Sequence, residues 1–182
     1  MSRMRLDDEI SEIYSMMREA LISKGDIPHA EFFYKRLRKE FCIDIIPEIA
    51  LQWPYRMVHP LGSVLGRATY ASHMVFYQGV SVGSTLDKER PTFLGPCVLF
   101  PRATVIGPVT IGKNVYITAG TIIEGRADYK WNIPDNSVVY RSNASGGFSY
   151  SPTQRSVIAD FFPELRKPTP ESLAALGVEG YV

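Results

Sequence analysis

The sequence has little of several things that mark particular classes of protein. It has only two cysteines, Cys42 and Cys97, among 182 residues. They lack a paired spacing and lie in apolar surroundings, which excludes a disulfide framework and favours a reducing, cytoplasmic location. The sequence also lacks the apolar run of roughly 18 residues that a membrane span requires, and no apolar segment follows its first charged residues. We therefore expect a protein that is neither exported nor inserted into a membrane.

An excess of charge of one sign is also missing. Lys and Arg number 20 and Asp and Glu number 19, and the two signs are mixed along the chain. Because the charges are balanced and mixed, the sequence has no electrostatic footprint for nucleic acid or for an anionic membrane. Only three histidines are present, His29, His59 and His73. None of them stands at zinc-ligand spacing from a cysteine, so we expect no metal site.

The first 43 residues predict helices. From Leu6 to about Ser23 apolar residues recur at helical spacing, and acidic residues crowd the first turn, where the helix dipole favours them. A second helical pattern covers residues 29–43, with basic residues on one side and aromatic and aliphatic residues on the other: Phe32, Phe33, Leu37 and Phe41. We interpret the basic cluster as a solvated face.

An internal repeat with a period of six begins after the helices. Large apolar residues recur at every sixth position from Phe93 to Ile123, and four residues after each of the first five stands a small or β-branched residue. The same spacing is looser upstream, at Val58, Val64, Tyr70, Phe76 and Val82. The step from Val82 to Phe93 is longer, so we expect the polar stretch 84–92 to be a loop outside the repeat.

A six-residue period fits neither an α-helix nor an ordinary alternating strand. One short strand per unit, with three units per coil, makes a parallel β-helix in which apolar residues stack inward. We therefore predict a mainly β fold with about five coils. The N-terminal helical segment would cover residues 1–43, the β-helix 44–140 and a C-terminal tail of loop and helix 141–182.

The C-terminal tail contains two features of its own. The stretch 140–152 is rich in Ser, Gly and Asn, which predicts a surface loop. A helical stretch follows near residues 154–167. Its apolar residues are expected to pack on another surface, such as a neighbouring subunit: Phe161, Phe162 and Leu165.

The segment from Ile43 to Gly66 resembles the matching stretch of serine acetyltransferases, within the hexapeptide-repeat acyltransferases. In that family an aspartate in a V-D-I-H-P motif precedes a catalytic histidine, in an H-A-T-G-I-V-I-G motif, by fifteen residues. Here Asp44 in "IDIIP" precedes His59 in "HPLGSVLG" by the same interval. The repeat "VIGPVTIGKNVYITAGTII" adds to the likeness. The resemblance implies a left-handed β-helix, a homotrimer or larger homo-oligomer, and acetyl-CoA bound between neighbouring subunits.

The resemblance gives two residues a chemical role. An acceptor hydroxyl is a poor nucleophile near neutral pH, so its attack on a thioester requires a base within hydrogen-bonding reach, and imidazole is suited to this. His59 is the candidate base. Asp44 would accept the proton on the other ring nitrogen and so fix its tautomer. The alternative for Asp44 is a cap on the turn that enters the first coil.

The resemblance continues into the coils. In "FYQGVSVGST" it makes Gly83, Ser84 and Thr85 candidates to contact the thioester or the developing oxyanion. A simple turn that leaves the coil is the alternative. In "LFPRATVIG" and "ITAGTII" it implies contacts with CoA at five further positions: Pro101, Ala103, Thr118, Ala119 and Gly120. Small residues there are also what tight β-helix corners need.

Two departures from the family concern the acceptor. The family has an aspartate immediately before the catalytic histidine, where this chain has Val58. The family also has a D-R-H-P motif in the loop, where this chain reads "KERP" from Lys88 to Pro91. Arg90 is a candidate for acceptor binding. His73 is a weaker one, with an exposed corner of the β-helix as the alternative.

These features together predict an acetyl-CoA-dependent O-acetyltransferase. Its acceptor would be a small hydroxylated compound, either serine or a sugar or sugar nucleotide. An N-acetyltransferase that acts on an amino sugar for surface polysaccharide and a non-catalytic β-helix scaffold stay open as alternatives. The superfamily's metal-dependent carbonic anhydrases bring three histidines to a subunit interface. The repeat region here has only His59 and His73, so the sequence disfavours a carbonic anhydrase.

Overall fold

Two helices form the N-terminal part of the structure, a computed structural model that describes residues 6–142 and 147–163. Helix α1 (Leu6–Arg18) continues as a π-helical turn, Glu19–Ser23, and α2 (Ile27–Phe41) starts after Asp26, whose carboxylate caps it. Their apolar faces pack together, which confirms both predicted helices. Phe32 is an exception, because it is 56% exposed, and Met16 and Ile22 in the first helical segment are also exposed, at 41% and 61%.

Short strands follow the helices. Within the described residues there are thirteen: β1 (Tyr55–Val58), β2 (Val64–Leu65), β3 (Met74–Tyr77), β4 (Ser81–Gly83), β5 (Thr92–Phe93), β6 (Cys97–Leu99), β7 (Thr104–Ile106), β8 (Val109–Ile111), β9 (Val115–Ile117), β10 (Ile122–Glu124), β11 (Trp131–Ile133), β12 (Ser137–Arg141) and β13 (Phe148–Pro152). A final short helix is α3 (Val157–Phe161).

The strands build a parallel β-helix with three faces. The first face contains β1, β3, β6, β9 and β12, the second contains β2, β4, β7 and β10, and the third contains β5, β8 and β11. The chain visits the faces in turn and completes four turns between β1 and β12. The prediction of about five coils was too high by one, because β12 is followed by β13, which turns back antiparallel to it. The left-handed sense stays a prediction from the family resemblance.

From Tyr70 onward the predicted core positions are confirmed. Nine of these side chains point inward and are at most 3% exposed: Tyr70, Phe76, Val82, Phe93, Leu99, Val105, Ile111, Ile117 and Ile123. The polar stretch between β4 and β5 leaves the prism as a loop, as predicted, and Leu86 within it is fully exposed. Stacking of like positions in successive turns explains why the period marks the core so well.

The first turn does not follow the predicted register. Met57 and Leu65 are the buried residues there, whereas Val64 is 43% exposed and Val58 points outward from the first face. Met57 aligns with Phe76, and Leu65 aligns with Val82. The first turn contains one residue more than three units of six. A shift of one residue moves a side chain to the opposite face of a strand.

The residues 147–163, which we call the C-terminal arm, cover the first face. Part of the predicted surface loop is strand β13, which pairs antiparallel with β12, so that prediction was wrong for these residues. Phe162 is 1% exposed and packs with Val75, Val98 and Tyr116 on the outside of the first face. The arm therefore packs on its own chain, with Phe161 at the rim of the same cluster. Leu165 lies outside the described residues.

Candidate active site

One corner of the prism, where the chain passes from the first face to the second, contains half of the candidate residues. It is formed by residues 59–63, 78–80, 100–103 and 118–121, and we call it the open corner. Backbone hydrogen bonds stack its turns: Gly79 N donates to Leu61 O at 2.9 Å, and Gly120 N donates to Pro101 O at 2.9 Å. The result is a column of turns along one edge of the β-helix.

His59 begins this column. It follows β1 directly, has a left-handed backbone conformation with φ of 48°, and has an exposed side chain. Its carbonyl accepts a hydrogen bond from Leu61 N at 2.8 Å, which closes the turn. Within the described part of the chain its ring makes no hydrogen bond, so both ring nitrogens are available to a ligand.

Asp44 lies on the second face, beside β2 and ahead of the first complete turn of the β-helix. It forms a parallel bridge with Val64, and its N–H donates to Ser63 O at 2.9 Å. Its carboxylate faces α2, because Tyr34 Oη donates to Asp44 Oδ1 at 2.9 Å and Arg38 Nε lies 3.9 Å from Oδ2. Among the described residues no hydrogen bond joins Asp44 to His59. A direct hydrogen bond between the Asp44 carboxylate and the His59 ring therefore remains a prediction.

Tyr34 and Arg38 are the partners of Asp44 that sequence reasoning missed. Burial raises the pKa of Tyr34, and the neighbouring Asp44 carboxylate raises it further. The phenol therefore stays protonated and donates its hydrogen bond to the carboxylate. A signal existed in the sequence, since residues four apart share one face of a helix. The charged residues of that face, however, predict only a solvated surface.

The candidate CoA residues on the open corner differ in exposure. Ala119 and Gly120 are exposed, and Thr118 Oγ1 lies 3.0 Å from Thr121 Oγ1, a contact that fixes the turn. Ala103 is fully buried, and its N–H and carbonyl bond to Phe100 O and Ser81 N. Its side chain faces the core, so this predicted position does not line the surface. Pro101 is half-buried beside it.

A second group of candidates lies across the second face, where the chain passes to the third. Gly83 faces open space, and Thr85 closes the following loop, with its N–H donating to Glu89 O at 2.9 Å. Ser84 and Arg90 are exposed in this loop. The second face is about three residues wide, or roughly 10 Å at the usual strand rise. On a single chain these residues do not adjoin the open corner.

His73 lies at the remaining corner, between the third and first faces. Its ring packs edge-on against Phe162, with centroids 5.1 Å apart, and its Nδ1 lies 3.0 Å from Ser72 Oγ. The structure does not bring it together with His59. Val58 is covered by the same arm, since it packs against the Phe162 cluster. A carboxylate in place of Val58 would be costly to desolvate there, which accounts for the departure from the family.

A cavity of about 530 Å³ adjoins the last turn of the open corner. It is lined by Gly120, Ile122 and Glu124, together with Trp131, Arg141 and Phe148. Sequence reasoning did not select the last three, because each comes from a different strand and no motif links them.

The residues that the structure describes contain no group of three or more His, Cys, Asp or Glu side chains able to hold a metal ion. Among the same residues, no helix is long and apolar enough to cross a membrane.

No protein-family model matches the sequence. Two curated serine acetyltransferases match part of it. That of Bacillus pumilus is 28% identical over 101 residues, and that of Synechococcus elongatus is 33% identical over 85 residues. These matches cover 53% and 44% of this chain and 44% and 35% of the relatives. This chain therefore spans less than half the length of either relative.

Solved structures give the same likeness in three dimensions. Serine acetyltransferase isoform 3 from Entamoeba histolytica, in complex with cysteine, superposes with a TM-score of 0.64 at 25% identity and covers 85% of this chain. The chain is similar to serine acetyltransferases in sequence and in fold. The serine acetyltransferase of Brucella abortus, in complex with coenzyme A, shares the fold with a TM-score of 0.67 at 17% identity over 82% of this chain. The alignments cover 51% and 57% of those two chains.

Proposed function

We propose that this protein is an acetyl-CoA-dependent O-acetyltransferase whose general base is His59. The observation that carries the proposal is the exposed imidazole of His59, without a hydrogen bond in the described residues, at the head of the open corner. The likeness to serine acetyltransferases supports acetyl-CoA as the donor. The acceptor would be serine or another small hydroxylated compound, such as a sugar or sugar nucleotide.

The proposed reaction needs one proton acceptor and a polarised carbonyl. The acceptor oxygen attacks the thioester carbon while His59 takes the hydroxyl proton, so the C–O bond forms as the imidazole becomes charged. The C–S bond then breaks, and the imidazolium returns the proton to the CoA sulfur. Asp44 would stabilise that imidazolium, and backbone N–H groups near Gly83 would stabilise the oxyanion.

An oligomer would complete this site. The resemblance implies a homotrimer or larger assembly with CoA in the cleft between neighbouring prisms. Such a cleft would bring Gly83, Ser84, Thr85 and Arg90 of one subunit toward His59 of the next. This explains how residues on opposite edges of the second face would serve one reaction.

Thiol release from acetyl-CoA tests the proposal. The acceptors would be L-serine, a sugar, a sugar nucleotide and an amino sugar. We expect turnover with a hydroxyl acceptor and a loss on the order of 10²–10⁴-fold in His59→Asn, with CoA binding unchanged by calorimetry. His29→Asn, an exposed histidine on α2, is the matched control. Turnover only with the amino sugar would favour N-acetylation, and unchanged turnover in His59→Asn would exclude His59 as the base.

A further inference from the structure

Helix α2 contacts the β-helix through the Asp44 carboxylate. Tyr34 and Arg38 are one helical turn apart and lie on the same side of α2. Tyr34 Oη donates to Asp44 Oδ1 at 2.9 Å, and the Arg38 guanidinium lies 5.6 Å from the centroid of the Tyr34 ring. The same guanidinium has its Nε 3.9 Å from Asp44 Oδ2. A phenol and a cation from one helix therefore hold one carboxylate of the prism.

The backbone around this contact is fixed from both sides. Cys42 ends α2 in a left-handed conformation, and its carbonyl accepts a hydrogen bond from Gly62 N at 2.9 Å. Asp44 N donates to Ser63 O, and Leu65 N donates to Asp44 O, both at 2.9 Å. The end of α2 is thus attached to the turn that His59 begins, and movement of α2 would be transmitted to that turn.

The two carboxylate oxygens of Asp44 are used differently. Oδ1 is occupied by the Tyr34 hydroxyl, whereas the 3.9 Å separation leaves Oδ2 beyond hydrogen-bonding distance of Arg38 Nε. Oδ2 thus retains acceptor capacity. The Asp44 side chain is 38% exposed, so without Tyr34 it would sample several rotamers. A carboxylate fixed by one oxygen, with the other available, is the arrangement that an orienting group for an imidazole needs.

We propose that Tyr34 and Arg38 are positioning residues that orient Asp44 for its interaction with His59. The inference rests on the proposed function of His59 as the base. Tyr34 has the larger effect, because it makes a direct, partly buried hydrogen bond to the carboxylate. Arg38 has the smaller one, since its side chain is 58% exposed and solvent screens its charge.

Other contacts hold the helices to the prism and provide a matched control. Tyr14 Oη on α1 donates to Ile49 O, and Leu51 N donates to Tyr14 Oη at 3.0 Å. Tyr14 thus fastens a helix to the chain that enters the β-helix without touching Asp44. Tyr14→Phe and Tyr34→Phe each remove one hydroxyl group from the contact between the helices and the prism. Only the Tyr34 hydroxyl, however, binds the Asp44 carboxylate.

Steady-state kinetics separates positioning from stability. With the best hydroxyl acceptor, Tyr34→Phe should lower kcat roughly ten-fold, the rate equivalent of a lost hydrogen bond to a charged group, and leave KM for acetyl-CoA unchanged. Arg38→Met should lower kcat about two-fold. Tyr14→Phe should lower the Tm and keep the wild-type kcat. Equal kcat in Tyr34→Phe and Tyr14→Phe would overturn the inference.

A spectroscopic readout does not require turnover. The chain has three histidines, so its imidazole ¹H–¹⁵N spectrum is simple, and the His59 signal is the one lost in His59→Asn. We expect Tyr34→Phe to shift the His59 signal and Tyr14→Phe to leave it in place. An unmoved His59 signal in Tyr34→Phe overturns the positioning role even if the wild type is active. Absence of turnover in the wild type instead overturns the proposed function, and the positioning role with it.

Discussion

Two corners of the same prism use similar backbone geometry and have different surroundings. His59 at the open corner and His73 at the corner between the third and first faces both have positive φ, 48° and 61°. The first ring is exposed and makes no hydrogen bond in the described residues, whereas the second packs against Phe162. Asn114 lies at the same corner as His73, two turns further along the β-helix. It also has a positive φ, and its side chain forms hydrogen bonds with the C-terminal arm. We call this corner the covered corner (71–73, 94–96, 112–114 and 134–136).

The difference arises from the C-terminal arm and not from the repeat. The repeat produces tight turns at every corner, and the arm then occupies the side chains of one of them. A left-handed residue at the covered corner is explained by its contacts within the chain. At the open corner the His59 ring makes no hydrogen bond to any residue that the structure describes, so we interpret its imidazole as available to a ligand.

The largest expected effect distinguishes the two histidines. Asparagine accepts a left-handed conformation, so His59→Asn and His73→Asn both preserve their turns. His59→Asn should lower acetyl transfer on the order of 10²–10⁴-fold, and His73→Asn should keep it within about two-fold. Thiol-release kinetics on both variants measures this. A comparable loss in His73→Asn would remove the functional distinction between the corners.

Detaching the arm should have the next largest effect. Phe162 is 1% exposed, and truncation of a buried phenylalanine costs about 3–5 kcal/mol. Phe162→Ala should therefore release the arm from the first face, with faster amide exchange in residues 148–163 and unchanged turnover. Ile158→Ala, at a position 36% exposed on α3, is the control and should keep the arm protected. If turnover falls together with protection, the arm also supports the open corner.

The smallest effect concerns Asn114 at the covered corner. Its Nδ2 donates to Arg155 O at 2.8 Å, and its Oδ1 accepts from Val157 N at 2.8 Å. Asn114→Gly keeps the left-handed turn and loses both bonds to the arm, together with the bond from Nδ2 to Asn136 Oδ1 at 2.9 Å. The free energy of unfolding should fall by about 1–3 kcal/mol. Urea denaturation gives the value. A change near zero would mean that packing of Phe162 alone holds the arm.

The sequence predicted the regular part of the prism well, and for a physical reason. From Tyr70 to Ile123 each inward residue stacks on its equivalents in adjacent turns, so a fixed period marks the core directly. The extra residue before Tyr70 shifts the register, so the six-residue period does not identify Met57 and Leu65 as core residues. Periodicity therefore finds the core only where the turns have equal length.

Contacts between elements distant in the sequence escaped prediction. Strand β13 is rich in serine and is a strand because β12 offers it an unpaired edge, which composition does not reveal. The contact between Tyr34 and Asp44 depends on how α2 docks on the prism. The assignment of His59 as candidate base rests on the family resemblance of a motif that is local to one turn, and it remains a prediction.

Amide hydrogen exchange of the wild-type protein with and without saturating CoA tests the central claim most directly. If the open corner carries the donor, CoA should slow exchange in residues 100–103 and 118–121. Residues 112–114 and 134–136, at the covered corner, should exchange at the same rate in both states. Protection confined to the covered corner, or no protection at saturating CoA, would contradict the assignment of the open corner as the active site.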